Sequence, residues 1–366
     1  SFEGCPGTPQ TFTITVNPAG QVNDPADQTR CNGTATAAVT FTTNRSGGTT
    51  TYAWSNSNTS IGLAASGTGN IASFTATNTG TSPATATITV TPSFEGCAGA
   101  PETFTITVNP SGQVNDPADQ VVCNGAATAA VSFATNRTGG TTTYSWTNNT
   151  TSIGLAASGS GNIASFTATN TGTAPVTATI TVTPSFEGCA GTPQTFTIRV
   201  NPSGQVNDPA DQVRCNGAAT AAVNFTTNRS GGTTTYAWTN SNTSIGLAAS
   251  GNGNIASFTA TNTGTSPVTA TITVTPSFEG CAGTPQTFTI TVNPAGQVND
   301  PADQTRCNGA ATAAVNFTTN RSGGTTTYAW TNSTPSIGLA ASGSGNIASF
   351  TATNAGTAPV TATITV

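Results

Sequence analysis

Cysteines are the residues whose type and spacing in this chain most clearly predict chemistry. All eight fall in two contexts that recur every 92 residues. Phe-Glu-Gly-Cys contains Cys5, Cys97, Cys189 and Cys281, and Cys-Asn-Gly contains Cys31, Cys123, Cys215 and Cys307. Zinc binding is the alternative to disulfide formation, but the chain has no histidine and no Cys-x-x-Cys pair. We therefore predict disulfides, and with them an extracellular or cell-surface location.

Carboxylates and arginines recur with the same period and form a second candidate site. Two hypotheses stay open for them. One is a calcium site that stiffens a joint between domains, because calcium prefers oxygen ligands. The other is a cluster of salt bridges around the arginine. The residues of the first three periods are Asp24, Asp27, Arg45 and Glu95, then Asp116, Asp119, Arg137 and Glu187, then Asp208, Asp211, Arg229 and Glu279.

An asparagine in each Asn-Arg-Ser/Thr-Gly-Gly segment heads a glycosylation motif. The same five residues also have the composition of a tight turn, which requires no glycan. Both interpretations remain open for Asn44, Asn136, Asn228 and Asn320.

Composition argues against several classes of function. The chain lacks the histidine of a catalytic triad and the lysine of a Schiff base, and its thiols are predicted to be in disulfides, so we predict no enzyme. A net charge of −5 without a basic stripe argues against nucleic acid as a partner. No apolar run approaches 18 residues, so the sequence predicts no membrane span.

The elements that carry these residues belong to a tandem array. A period of 92 residues suits a small domain with its own core. We place an orphan segment at 1–18, complete repeats at 19–110, 111–202 and 203–294, and a repeat without its last strand at 295–366.

Alternation of apolar residues with threonine marks the strands of each repeat. Predicted strand F, around 84–90, places alanine, isoleucine and valine inward, and predicted strand G, around 103–108, does the same with Phe104, Ile106 and Val108. Arg199 occupies a threonine position of the second complete repeat, as an outward face allows. Seven short strands in about 90 residues predict an all-β, immunoglobulin-like sandwich.

The Tyr-x-Trp of predicted strand C, the Ala-Thr-Ile-Thr-Val-Thr-Pro strand and the closing Cys-x-Gly-x-Pro-x-Thr-Phe-Thr-Ile-Thr-Val-Asn-Pro resemble the PKD-like repeats of large secreted proteins of Bacteroidota. The resemblance implies a cell-surface or extracellular stalk, filament or adhesin. The Trp-Asp-Phe-Gly-Asp-Gly type of run found in PKD domains is absent, since Trp54 is followed by Ser-Asn-Ser.

Strand order leads to a prediction for the disulfides. We place Cys31 at the start of the first strand and Cys97 in the connection between strands F and G, both at the end nearest the preceding repeat. The predicted pairs are Cys31 with Cys97, Cys123 with Cys189, and Cys215 with Cys281. Cys5 and Cys307 are left to pair with each other across copies.

The two ends of the chain look complementary. Phe12, Ile14 and Val16 form a last strand without a domain, and residues 295–366 form a domain without a last strand. Either the chain continues as a longer array, which the nearly unbroken register favours, or separate copies join end to end through a shared strand. We therefore expect a structural subunit of an extracellular filament or stalk. The alternative is an adhesin whose repeats bind a glycan or protein ligand.

Overall fold

The structure, a computed structural model, describes residues 1–366 and is all-β apart from four single turns of 3-10 helix. Its strands repeat with the predicted period. The first complete repeat contains β1 (Gln28–Cys31), β2 (Thr50–Asn56), β3 (Ser66–Thr68), β4 (Ala84–Phe94), β5 (Cys97–Ala98) and β6 (Glu102–Asn109). The immunoglobulin-like, tandem fold class is confirmed.

The second and third complete repeats reproduce this set of strands, and the fourth reproduces half of it. The second contains β7 (Gln120–Cys123), β8 (Thr142–Asn148), β9 (Ser158–Ser160), β10 (Val176–Phe186), β11 (Cys189–Ala190) and β12 (Gln194–Asn201). The third contains β13 (Gln212–Cys215), β14 (Thr234–Asn240), β15 (Ser250–Asn252), β16 (Val268–Phe278), β17 (Cys281–Ala282) and β18 (Gln286–Asn293). The fourth contains only β19 (Ala329–Asn332), β20 (Ser342–Ser344) and β21 (Ile364–Thr365).

One main sheet organises each complete repeat. Its order in the first is β1-β6-β4-β2-β3, with β5 added to β4 as a hairpin. All pairings are antiparallel except that β1 runs parallel to β6. The opposite layer consists of two extended segments joined by isolated bridges, Ala35 with Thr75 and Val39 with Ile71.

Side chains between the two layers form a separate core in each period. In the first complete repeat the core includes Phe104, Ile106 and Val108 of β6, which are at most 2% exposed, together with Val39 and Ile71 of the opposite layer. Threonines alternate with these residues on the outward face, which explains how such short strands remain soluble. The chain divides into two compact units, residues 1–170 with 176–200, and residues 171–175 with 201–366.

The sequence predicts a weak strand at residues 60–66, and this prediction is wrong in detail. A 3-10 turn forms at Thr59–Ile61, and only Ser66–Thr68 forms a strand. Asn58 caps the turn by accepting from the backbone N–H of Ser60, and Gly62 ends it with a φ of 94°. The turns at Thr151–Ile153, Thr243–Ile245 and Pro335–Ile337 also end at a left-handed glycine, and Asn242 repeats the cap at the second of them. No helix in the structure is long and apolar enough to cross a membrane.

Glycine is required where β3 and its equivalents pass over the tryptophan ring. A Cβ atom at Gly159 would lie 2.2 Å from Cζ2 of Trp146, which is 8% exposed. The tryptophans are therefore core residues, covered on one side by backbone.

We expect Gly159→Ala to destabilise the second complete repeat by about 1–3 kcal/mol, because the added methyl group overpacks the ring. Each complete or partial repeat has one tryptophan. When urea unfolding is followed by tryptophan fluorescence, the altered repeat should therefore unfold first, in a step of about a quarter of the total change in signal. The control is Gly7→Ala, where no atom lies within 4 Å. Identical unfolding curves for Gly159→Ala and the unmodified chain would contradict this packing.

Candidate functional site: the joint between repeats

A tight hairpin places the Phe-Glu-Gly-Cys cysteine of each repeat at one end of its sandwich, which we call the proximal end. Glu95 and Gly96 both have positive φ, 48° and 83°, between the paired residues Phe94 and Cys97. Two successive positive φ angles are the geometry of a type I′ turn, which suits the twist of a two-residue hairpin. The Glu95 carboxylate accepts a hydrogen bond from the backbone N–H of Thr49, which holds the hairpin against the neighbouring turn.

The Cys-Asn-Gly cysteine lies at the opposite, distal end. Gly20 donates from its backbone N–H to the Cys97 carbonyl at 3.0 Å, so the segment before β1 begins at the proximal end. It then runs beside β6, and β1 pairs Cys31 with Asn109, where β6 leaves for the next repeat. Because β1 is parallel to β6, Cys31 lies at the distal end.

The predicted disulfide pairing is therefore wrong. Cys31 bonds to Cys189, in the hairpin of the next repeat, with 5.4 Å between the two Cα atoms and 158 residues between them in the chain. Cys97 and Cys215 carry free thiols, so the predicted bonds Cys31–Cys97 and Cys215–Cys281 are absent, and Cys189 is not available to Cys123. The cause of the error is that residues 20–31 span the whole sandwich, whereas the prediction placed Cys31 where that segment begins.

Two further cysteines, Cys123 and Cys281, are each disulfide-bonded. Cys5 and Cys307 carry free thiols, as do Cys97 and Cys215. The pairing of Cys5 with Cys307 stays a prediction at this point.

Arginine fixes the same joint by a second route. Arg137 donates through Nε to the Ser111 carbonyl and through Nη1 to the Gly80 carbonyl of the preceding repeat, both at 2.8 Å. The backbone N–H of Thr138 donates to the Thr81 carbonyl at 2.9 Å. In the other unit, Arg229 and Arg321 likewise donate through Nη1 to the carbonyls of Gly172 and Gly264, each at 2.7 Å.

The arginine acceptors are backbone carbonyls, not the carboxylates that the salt-bridge hypothesis requires. Arg45, which has no preceding repeat in the chain, donates to the Ala19 carbonyl of its own repeat. The sequence could not reveal this role, because every residue has a backbone carbonyl and the acceptor can be of any type.

The carboxylates do not converge on one point. Asp27 accepts from the backbone N–H of Thr105, in the middle of β6, whereas Glu95 is in the hairpin at the proximal end. Asp119 and Asp211 repeat the Asp27 contact with Thr197 and Thr289. No group of three or more His, Cys, Asp or Glu side chains in the structure is placed to hold a metal ion. The predicted grouping of these carboxylates with the arginine is therefore not seen.

The glycosylation motif lies in the turn that forms the joint. The Asn44, Asn136, Asn228 and Asn320 side chains are exposed. The backbone N–H of Asn44 donates to Gln21 Oε1 at 2.9 Å, as expected of an ordered turn. Modification of these residues stays a prediction.

Two segments of the chain match a known protein family. Residues 28–112 and 120–204 match the PKD-like domain family. The two matched segments lie in tandem. The search of curated proteins found no match.

Among solved structures, the I9–I11 tandem of titin is similar at 14% identity, over 75% of this chain and 99% of that one, with a TM-score of 0.27. The N-cadherin EC1–4 fragment of Drosophila is similar at 12% identity, over 76% of both chains, with a TM-score of 0.32. Protocadherin gammaB7 EC3–6 is similar at 13% identity, over 92% of this chain and 93% of that one, with a TM-score of 0.33. TM-scores this low support no conclusion about what this chain does.

The aspartate that contacts the last strand generates a pH-dependent prediction. The Thr197 backbone N–H holds the pKa of Asp119 below its ordinary value, because the bond favours the charged form. A folded-state pKa below the unfolded one stabilises the domain above the unfolded pKa, about 3.9. That stability is lost as pH falls through the folded pKa.

We therefore expect Asp119→Asn to lower the free energy of unfolding at pH 7, and the difference from the unmodified chain to shrink as pH falls below about 4. Urea unfolding at a series of pH values measures this difference. Asp116→Asn is the matched control in the same repeat. A deficit that stays constant down to pH 2 would rule out the charged hydrogen bond as its source.

Proposed function

We propose that this chain is a structural segment of an extracellular fibre or stalk, in which consecutive PKD-like domains are locked to each other covalently. The observation that carries the proposal is the bond between Cys31 of one repeat and Cys189 of the next. A disulfide inside one domain would stabilise that domain alone. A disulfide between neighbours restricts how the neighbours move, which is what a load-bearing segment requires.

Three attachments at the joint support a mechanical role. The chain itself crosses from β6 through Ser111, the disulfide crosses from Cys31, and Arg137 and Thr138 bond to the loop of residues 80–81. A single flexible linker leaves two domains free to hinge. Attachment at several separate points opposes bending in more than one direction.

The repeats offer little that favours the adhesin alternative. The tryptophans that could have stacked on a sugar are core residues, with Trp146 and Trp238 each 8% exposed. The arginine bond to a backbone carbonyl recurs at Arg137, Arg229 and Arg321, so the repeated polar contacts serve connection. Disulfides and tandem PKD-like domains are consistent with an extracellular location.

Stretching a single chain by its two ends tests the mechanical role. In a Cys123→Ser/Cys281→Ser chain, the Cys31–Cys189 bond should keep the 158 residues between its cysteines from extending. At about 3.3–3.6 Å per residue, the oxidised chain should reach a contour length roughly 50 nm shorter than the reduced one. Additional replacement of Cys31 and Cys189 by serine should abolish that difference, whereas Cys97→Ser should leave it. Equal lengths in both redox states would overturn the load-bearing role.

Labelling of intact source cells tests the fibre itself. Antibodies raised against the chain should decorate thin extended structures outside the cell in electron micrographs. Labelling confined to the cell interior would contradict the proposal.

A further inference from the structure

Two short segments meet at the joint between the first two complete repeats. Residues 137–139 of the second, which we call the docking segment, lie against residues 80–83 of the first, which we call the docking loop. Arg137 and Thr138 each donate one hydrogen bond across the joint, through Nη1 and through the backbone N–H. Gly139 has a φ of 76°, and a Cβ atom there would lie 3.3 Å from Cδ of the proline in the docking loop. The two backbones therefore approach closely.

These three contacts recur twice inside the other compact unit. Each time an arginine Nη1 and the next backbone N–H donate to two carbonyls, and a glycine then lies against a proline, at Arg229, Ser230 and Gly231 on Gly172, Thr173 and Pro175, and at Arg321, Ser322 and Gly323 on Gly264, Thr265 and Pro267. The same atoms serve in every case. Docking is therefore a property of the repeat and not of one loop.

The disulfide of the same joint uses different elements. Cys31 is the last residue of β1 and Cys189 the first of β11, whereas the docking loop precedes β4 and the docking segment precedes β8. The polar contacts and the sulfur–sulfur bond therefore join the two repeats at separate places. Contacts at one place limit the positions that the Cys189 sulfur can take relative to the Cys31 sulfur at the other.

Such a limit is needed because the bond closes a long loop. Cys31 and Cys189 are 158 residues apart, and an unfolded chain closes short loops more readily than long ones. Two folded repeats on a single flexible linker would also meet in many orientations. Docking selects the orientation in which the two sulfurs are neighbours, and so raises the effective concentration of one thiol near the other.

We propose that Arg137 is a positioning residue for disulfide formation. The polar contacts of the docking segment form first, and they bring the thiols of Cys31 and Cys189 together for oxidation. This role rests on the proposed function, the covalently locked joint, and explains how that joint closes and which cysteines it pairs. The joint closes in two stages, a reversible polar stage and a covalent one, and reduction opens only the second.

The covalent stage requires an oxidant, for which we name a small-molecule disulfide such as oxidised glutathione. One protein thiolate attacks it, forms a mixed disulfide and releases one glutathione thiol. The other protein thiolate then attacks the mixed disulfide, forms the protein disulfide and releases the second glutathione thiol. Two protein thiols thereby lose two protons and two electrons, which the two glutathione thiols hold. Arg137 acts on the second attack, because only that step needs both protein sulfurs in one place.

Equilibration of the full chain with reduced and oxidised glutathione measures the effective concentration of the thiol pair. The background is the Cys123→Ser/Cys281→Ser chain, and mass spectrometry of the acid-quenched, alkylated cysteine peptides gives the oxidised fraction. Arg137→Ala should lower the effective concentration about tenfold or more, because a charged hydrogen bond across the joint is lost. Arg137→Lys should retain part of it, since lysine keeps the charge without the planar fork.

Arg45→Ala is the matched control for this measurement. Arg45 donates through Nε to the Ala19 carbonyl of its own repeat, as Arg137 does to the Ser111 carbonyl. Both substitutions remove that bond, but only Arg137→Ala also removes the bond to the docking loop. The control should keep the effective concentration of the background chain. An unchanged value in Arg137→Ala, or an equal fall in both variants, would overturn the positioning role.

Amide hydrogen exchange tests the order of the two stages without any oxidation. In a Cys31→Ser/Cys189→Ser chain, the Thr138 amide should stay protected, because its acceptor lies in the docking loop and not in the disulfide. The Asn115 amide, which donates within the second complete repeat, is the internal reference. Exchange of Thr138 at the rate of an unstructured peptide, with Asn115 still protected, would show that docking needs the disulfide and would overturn the proposed order.

The two proposals fail in different ways. An effective concentration that does not depend on Arg137, with the roughly 50 nm difference in contour length intact, would remove the positioning role and leave the locked segment standing. Dependence on Arg137 without that difference in length would do the reverse.

Discussion

Backbone pairing along the last strand is the constraint on which each sandwich depends. In complete repeats β6 lies inside the sheet, antiparallel to β4 on one side and parallel to β1 on the other. It contributes Phe104, Ile106 and Val108 to the core. Its Thr105 backbone N–H donates a hydrogen bond to the Asp27 carboxylate. Where this strand is missing, at residues 295–366, the first strand does not form and the sheet shrinks to three strands.

The parallel pair of β1 and β6 also explains the joint. It carries the chain from the proximal end to the distal end before the opposite layer begins, so a cysteine at the end of β1 meets the hairpin of the next repeat. In the chain-entropy description, a closed loop of 158 residues stabilises the linked pair of domains by about 5 kcal/mol against complete unfolding. The hydrogen bond from Arg137 to the Gly80 carbonyl also restricts the orientation of one repeat against the next, because it joins a turn to one loop of the preceding repeat.

The sequence was sufficient for the fold class, because the features that determine it are local. Alternation of apolar residues with threonine identified β4 and β6, and the 92-residue period identified the tandem array. The path of residues 20–27 was not predictable in the same way. Gln-Val-Asn-Asp-Pro-Ala-Asp has no alternation and only Val22 enters the core, so nothing in the pattern shows that this segment spans the sandwich.

The unpredicted path of residues 20–27 caused the error in the disulfide pairing. Reading residues 20–27 as a short lead-in put Cys31 at the wrong end and made a bond within one repeat look inevitable. Two glycines give a partial indication of the path. The backbones of Gly20 and Gly99 are in contact, and a Cβ atom at Gly99 would overlap the Gly20 carbonyl. Close backbone approach at that point fixes the start of the segment at the proximal end, and its length then places Cys31 at the distal one.

A disulfide between neighbouring repeats is the central feature of the joint. Proteolysis of the oxidised chain without reduction, followed by mass spectrometry of the linked peptides, measures it directly. We expect a peptide containing Cys31 joined to one containing Cys189, with Cys97 recovered as a free thiol. Recovery of Cys31 joined to Cys97 would mean that each disulfide stays within its own repeat, and the locked joint would have to be abandoned.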